Sequence, residues 1–314
     1  MRRGKSFIVV QTPPVMMTSD SRKRKGIGGQ AVIGGVMMKG PKHMAIAVRR
    51  PDGQIETRTE RVKSKEERHP VASWPLVRGV IVLGETLVLG YKALTYSADV
   101  SMGEDDSLDW KEVALSFVLA IGFALLLFKL LPLFIADLLS KHLPAVSKSY
   151  LLYNLIDGTM KIGLFLLYIL LIGLLADVKE VFAYHGAEHK TVNCFEQEGH
   201  LDYDACSRHS VINPRCGTTF VILVLLLSIF IYLLIPSASP FWLKYLLRLA
   251  LLPVIAGVSY ELIKLASRLW DYRGMRYAMS PLLVVQKLTT REPTPEQLEV
   301  GIAAMEAVLQ LEEQ

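Results

Sequence analysis

At 314 residues, 51% hydrophobic, with mean hydropathy +0.33 and formal net charge +5, the chain is too apolar for an ordinary soluble protein. The apolar excess is concentrated in a few long runs, which excludes a single evenly patterned globular core. Its three cysteines include no C-x-x-C pair, so the spacing of a zinc knuckle is absent.

Residues 1–25 are basic, ending in Arg22-Lys23-Arg24-Lys25, and no apolar stretch of a cleavable signal follows the first charges. A disordered, solvated tail is expected, free to meet anionic headgroups or ribosomal RNA, with no specific nucleic-acid target. Residues 26–112 form a second region. Glycines punctuate short β-type runs from Gly26 to Gly40, and Pro51-Asp52-Gly53 is a turn signal before the alternating Ile55 to Thr59. A small hairpin or sheet is predicted there, followed by a charged connector over 61–69. The segment Gly28 to Pro41 lacks the Gly-Lys-Ser/Thr ending of a phosphate loop, so tight turns or close backbone packing fit it better. Residues 76–98 are apolar but carry Arg78, Glu85 and Lys92 at a spacing of seven. That pattern predicts an interfacial helix or one packed against a bundle, with a fifth span as the alternative.

Four runs, 113–139, 151–176, 217–235 and 241–266, approach or exceed the ~20 residues that cross a bilayer. Phe117 to Leu127 and Phe220 to Leu234 contain no charged residue, which leaves no polar face for water. The predicted fold is an α-helical polytopic membrane protein. It has about four transmembrane helices over 113–266, a cytoplasmic loop at 177–216 and a small cytoplasmic α+β domain. Lys and Arg crowd the segment before the first run, the 177–216 loop and the tail after 267, whereas the Pro236–Pro240 hairpin has none. The positive-inside rule then places both termini and that loop in the cytoplasm of a bacterial inner membrane. The tail, 267–314, turns at Glu292-Pro293-Thr294-Pro295 and ends in a helix with Leu298, Ile302, Met305 and Leu309 at helical spacing.

The chemistry concentrates in His185-Gly186-Ala187-Glu188-His189, an H-x-x-E-H string. Imidazoles at i and i+4 share one helical face and suit joint ligation of one ion, with Glu188 as base or ligand, as in the inverted zincin pattern. A structural hydrogen-bonding cluster is the plain alternative. A catalytic metal site needs a third protein ligand and an open position. Glu261, Cys216 and His209 are the rival candidates. For Glu261 the alternative is an ion pair with Arg215 or Lys190. For Cys216 it is a reactive thiolate beside Arg215, or a small buried residue. Asn154, Asp157 and Lys161 form a polar stripe within the second run, either a transport path or an internal ion-pair network.

Five separated motifs in order are Gly28 to Val32, Gly35 to Pro41, Tyr184 to Thr191, Pro214 to Thr218 and Leu288 to Pro293. Together they resemble the bacterial YqhQ family over about residues 26–312. This is a membrane family labelled a predicted metal-dependent enzyme. The resemblance implies a divalent metal, Zn²⁺ being the natural choice. The chain departs from the family pattern at Gly34, where Glu is expected.

The leading functional expectation is a metal-dependent hydrolase at the membrane–cytosol boundary. His185 and His189 would hold the ion, with Glu188 as base and Arg215 stabilising negative charge on a carbonyl or phosphoryl oxygen. The expected partners are the bilayer, a lipid or membrane-tethered peptide substrate, and a second copy of the chain. A transporter or metal-handling protein and a non-enzymatic scaffold are the competing classes.

Overall fold

The computed structural model describes residues 26–63, 70–102 and 110–313. The expected disordered tail, most of the charged connector and residues 103–109 lie outside them.

The glycine-punctuated segment forms a four-stranded sheet, the larger of the two expected forms. Strands β1 (Gly28–Val32), β2 (Gly35–Lys39), β3 (His43–Arg49) and β4 (Ile55–Arg61) pair antiparallel in sequence order. Period-two alternation gives the sheet two buried faces. Val36, Met38, Ala45 and Ala47 point to one side; Met37, Met44, Ile46 and Val48 point to the other. Gly34 closes the β1–β2 turn with φ +62°, a conformation that disfavours any side chain, and an added Cβ there would meet Ser101 Oγ. A glutamate at this position would be strained at a hairpin tip, while the glycine that meets Glu188 is Gly29.

Helix α1 (Val77–Met102) covers the second face of the sheet with Ala93, Leu89 and Tyr96. Its three spaced charges are all engaged: Arg78 with Glu261, Glu85 with Lys39, and Lys92 with Glu60. The helix is therefore packed against its neighbours along its length. Next come α2 (Trp110–Leu125), a π-helical turn over Leu126–Leu130, α3 (Leu131–His142), the short α4 (Pro144–Lys148) and α5 (Tyr150–Ile172).

The 177–216 segment is not an open loop. It carries α6 (Ala176–Gln197), whose residues from Gly186 to Phe195 are all buried, and the short α7 (Tyr203–Ser207). Helix α8 (Gly217–Ile231) follows at once. Helices α9 (Phe241–Ala250) and α10 (Leu252–Arg268) meet at a 40° bend, where Pro253 cannot donate a helical hydrogen bond. After α11 (Arg273–Val284) and α12 (Gln286–Thr289), an extended stretch leads to α13 (Pro295–Glu312). The expected turn is a capping box, Thr294 and Gln297 each bonding the other's backbone N–H. Helix α13 sets Val300, Ala304, Met305 and Val308 on the first face of the sheet beside Tyr184, Val192 and Phe195 of α6.

Among the described residues, three helical stretches, Val118–His142, Tyr150–Ile172 and Gly217–Leu234, are long and apolar enough to cross a membrane, and the bent pair α9–α10 makes up to four. The polar stripe of α5 is closed on itself and on α9. Asp157 pairs with Lys161 and, at 2.6 Å, with Arg248, and Arg248 donates to Asn154 Oδ1 at 2.8 Å. All four side chains are buried.

Candidate metal centre

Helix α6 places the two histidines one turn apart on one face, His185 partly exposed and His189 buried, their ring centroids 4.4 Å apart. Both rings are oriented from behind by backbone carbonyls. His185 Nδ1 donates to Thr289 O at 2.8 Å, and His189 Nδ1 donates to Val211 O at 2.5 Å. A carbonyl only accepts, so each Nδ1 carries a proton, and each ring in its neutral form offers its Nε2 lone pair. Those two nitrogens turn towards one sulfur. His185 Nε2 is 3.3 Å from Cys216 Sγ, and ligand atoms of His185, His189 and Cys216 all lie within 4.8 Å of one another. Tetrahedral zinc bound by two imidazoles and a thiolate separates its donors by roughly 3.3–3.7 Å. The donor set therefore fits a borderline-soft divalent ion once the donors close from within 4.8 Å to that separation, and the backbone carbonyls are the outer partners such ligands require.

A buried amide network carries the third ligand into place. Asn193 on α6 donates to Ser210 O and Ile212 O, Asn213 Nδ2 donates to Asn193 Oδ1, and Gln286 joins Asn213 O to Thr219 Oγ1. The 210–216 segment is thereby held against α6, delivering both the Val211 carbonyl and the Cys216 thiol. Cys216 is the N-cap of α8 and accepts from Thr218 N.

Glu188 sits beside the cluster, only 5% exposed. Its Oε1 accepts from Gly29 N at 2.9 Å, and its Oε2 lies 3.5 Å from His189 Nε2. Gly29 must be a glycine, because an added Cβ would meet Glu188 Cγ at 2.9 Å and Met37 O more closely still. Burial alone would push the His189 imidazolium down. The hydrogen bond to Cys216 and the Glu188 charge outweigh it, so His189 titrates above the ordinary histidine value. Burial lowers the Arg215 guanidinium from its usual value, opposed by Glu188, and Arg215 pairs with Glu196.

Of the three rival third ligands, the fold brings in Cys216 alone. Glu261 is engaged by Arg78 through both carboxylate oxygens, so its ion-pair partner is neither Arg215 nor Lys190. Lys190 instead pairs with Glu292 and donates to Ser207 O. His209 donates its Nε2 side to Glu198 at 2.9 Å, and His200 pairs with Asp202. The carbonyls of Thr289 and Val211 and the Gly29 amide carried no side-chain signal in the sequence, although Gly29 and Thr289 lie inside the motifs that carry the family resemblance.

Comparison with known proteins agrees with those motifs. Residues 74–311 match the family described as protein of unknown function (DUF1385). The chain is similar to the uncharacterized protein YqhQ of Bacillus subtilis (strain 168), 33% identical over 299 residues, covering 91% of this chain and 92% of the relative. No solved structure matches it. The chain therefore belongs to the DUF1385 family.

Proposed function

We propose that this chain is a multi-pass inner-membrane protein whose Cys216–His185–His189 cluster holds a divalent metal, of the zinc class, and hydrolyses a lipid or a membrane-tethered peptide at the cytosolic boundary. The observation that carries this reading is the convergence of two correctly tautomerised imidazoles and a thiol, with a buried carboxylate alongside. A bound ion of this class supplies Lewis acidity towards a carbonyl or phosphoryl oxygen and acidifies water at neutral pH. The protein's own groups supply the rest. Glu188 is held at Oε1 by the Gly29 amide, so Oε2 is free to hold a proton on the cluster side. Arg215 places positive charge near the same carboxylate. Cys216 immediately precedes α8, one of the apolar helices, which sets the cluster at the end of a span. The side beside Gly217 is open, with no atom within 4 Å of an added Cβ. A substrate lying in or tethered to the bilayer suits that position.

Transport is the weaker reading, because the polar stripe it would need is consumed by the Asp157–Lys161–Arg248 pairing. Two measurements test the proposal. Tags at 200 and at the C-terminus should react only with cytoplasmic reagents and a tag at 145 only with external ones. Metal-loaded protein should turn over a member of a panel of phospholipids and membrane-anchored peptides. A reversed tag pattern, or protein that purifies metal-free without chelators and stays so when supplied with zinc, ends the reading.

A further inference from the structure

We infer that residues 70–89 lie in the cytoplasmic half of the bilayer, α1 rising through it towards the cytoplasmic domain, with lipid chains covering its exposed apolar face. The inference rests on the membrane reading above and on where α1 begins. Its first turn is packed against the middle of α10. A Cβ on Gly79 would meet Tyr260 Cβ at 2.8 Å and Gly257 Cα at 3.1 Å, and one on Gly257 would meet the Leu76 backbone. Leu76 itself holds φ 68°, rare for a branched side chain and sustained here by that close backbone approach. Small residues at such a crossing let helices approach closely where lipid offers no hydrophobic drive.

Depth follows from helix geometry. Gly257 lies eleven residues before Arg268, the cytoplasmic end of α10, which is about 16 Å at ~1.5 Å per residue. From Leu76 to Gly90, where α1 meets Gln30 of the sheet, the helix climbs about 21 Å. The two lengths match for a tilted helix that starts near mid-bilayer and ends on the cytoplasmic domain. The side chains agree. Val71, Trp74, Leu76, Val80, Leu87 and Val88 are exposed large apolar groups on this stretch. Between Pro70 and Leu83 the one charge is Arg78, neutralised by Glu261. The next, Glu85, pairs with Lys39 of β2 at 3.9 Å, which ties this part of the helix to the sheet.

Nitroxide labels on Val80→Cys, Gly84→Cys and Val88→Cys in phospholipid vesicles test this. The three native thiols are buried, and the unsubstituted chain gives the background. Leu126→Cys and Leu167→Cys, exposed on two apolar helices, serve as lipid references, and Thr57→Cys on β4 serves as the water reference. The ratio of collisions with oxygen to collisions with a nickel chelate should match the lipid references at 80 and fall several-fold from 80 through 84 to 88. Equal ratios at the three sites mean a helix lying flat in the interface and overturn the inference. Shielding from both agents means a second copy covers the face and also overturns it. Water-like readings at 126 and 167 would overturn the membrane reading itself, and this inference with it. Independently, bromine placed mid-chain in the lipid should quench the native fluorescence more than that of Trp74→Phe; equal quenching counts against insertion.

Discussion

Cys216 Sγ lies 3.3 Å from His185 Nε2 although 31 residues separate them. Helical spacing explains why His185 and His189 share a face, but only the Asn193–Asn213–Gln286 network explains the thiol's position. The cluster is therefore assembled by tertiary structure, and under the metal reading proposed above it offers three donors. Cys216→Ala and His189→Ala should each reduce bound zinc from stoichiometric to near background, while Glu261→Gln, His209→Ala and His200→Ala leave it unchanged. Elemental analysis of protein purified without chelators decides this. Full metal content in Cys216→Ala would leave the thiol no role beyond packing.

Glu188 allows two roles to be separated. The amide of Glu188→Gln still accepts from Gly29 N through its oxygen, but the NH2 group at the position of Oε2 cannot accept a proton. Metal content should survive and turnover should fall by about 10²–10⁴-fold, the usual contribution of general-base catalysis. Loss of the metal along with the activity would make Glu188 a fourth ligand instead.

The long apolar runs, the terminal helix with its capping residues and the histidine pair were legible because each depends on local spacing. The sheet was legible as alternation and turn signals, though not as four strands, since Gly35 and the Met-rich β2 carry weak strand character. Helix α6 was obscured because it is buried on nearly every side within a polar, ligand-rich sequence, leaving no clean apolar stripe. Glu261 invited a metal role through its position in an apolar run, and no local pattern links it to Arg78, 183 residues away. Arg248 likewise joined the α5 network only through folding.

The tail that orients His185 is held by contact along α6, and one glycine makes that contact possible. A Cβ on Gly186 would overlap the Arg291 carbonyl oxygen, and Arg291 N already donates to Phe182 O at 2.9 Å. Gly186→Ala should push the 289–292 segment off the helix and take the Thr289 carbonyl away from His185 Nδ1. A stability loss of about 1–3 kcal/mol is expected from such overpacking, together with weaker zinc binding. Gly163→Ala is the control, since nothing lies within 4 Å of its added Cβ and alanine favours the helix. Zinc titration and thermal melting of the two variants check this, and unchanged affinity in Gly186→Ala would show that the carbonyl does not set the ring.

Asp157 is the one carboxylate shared by Lys161 and Arg248, all three buried. Its removal cannot be compensated by water, so two cations would face each other in a low-dielectric interior. Breaking a buried pair in this way typically costs about 3–5 kcal/mol. Asp157→Asn keeps the volume and removes only the charge, so its effect isolates the electrostatics. Lys161→Met should cost less, because Asp157 retains Arg248 at 2.6 Å and the methionine fills most of the lysine stem's space. Arg248→Met should cost more than Lys161→Met, since it also leaves Asn154 Oδ1 without its donor. Melting temperatures in mild detergent, read by intrinsic fluorescence, should therefore rank native, Lys161→Met, Arg248→Met and Asp157→Asn in falling order. An Asp157→Asn variant as stable as the native chain would mean that the cluster is not held by charge, and that at least one of the two cations is neutral there.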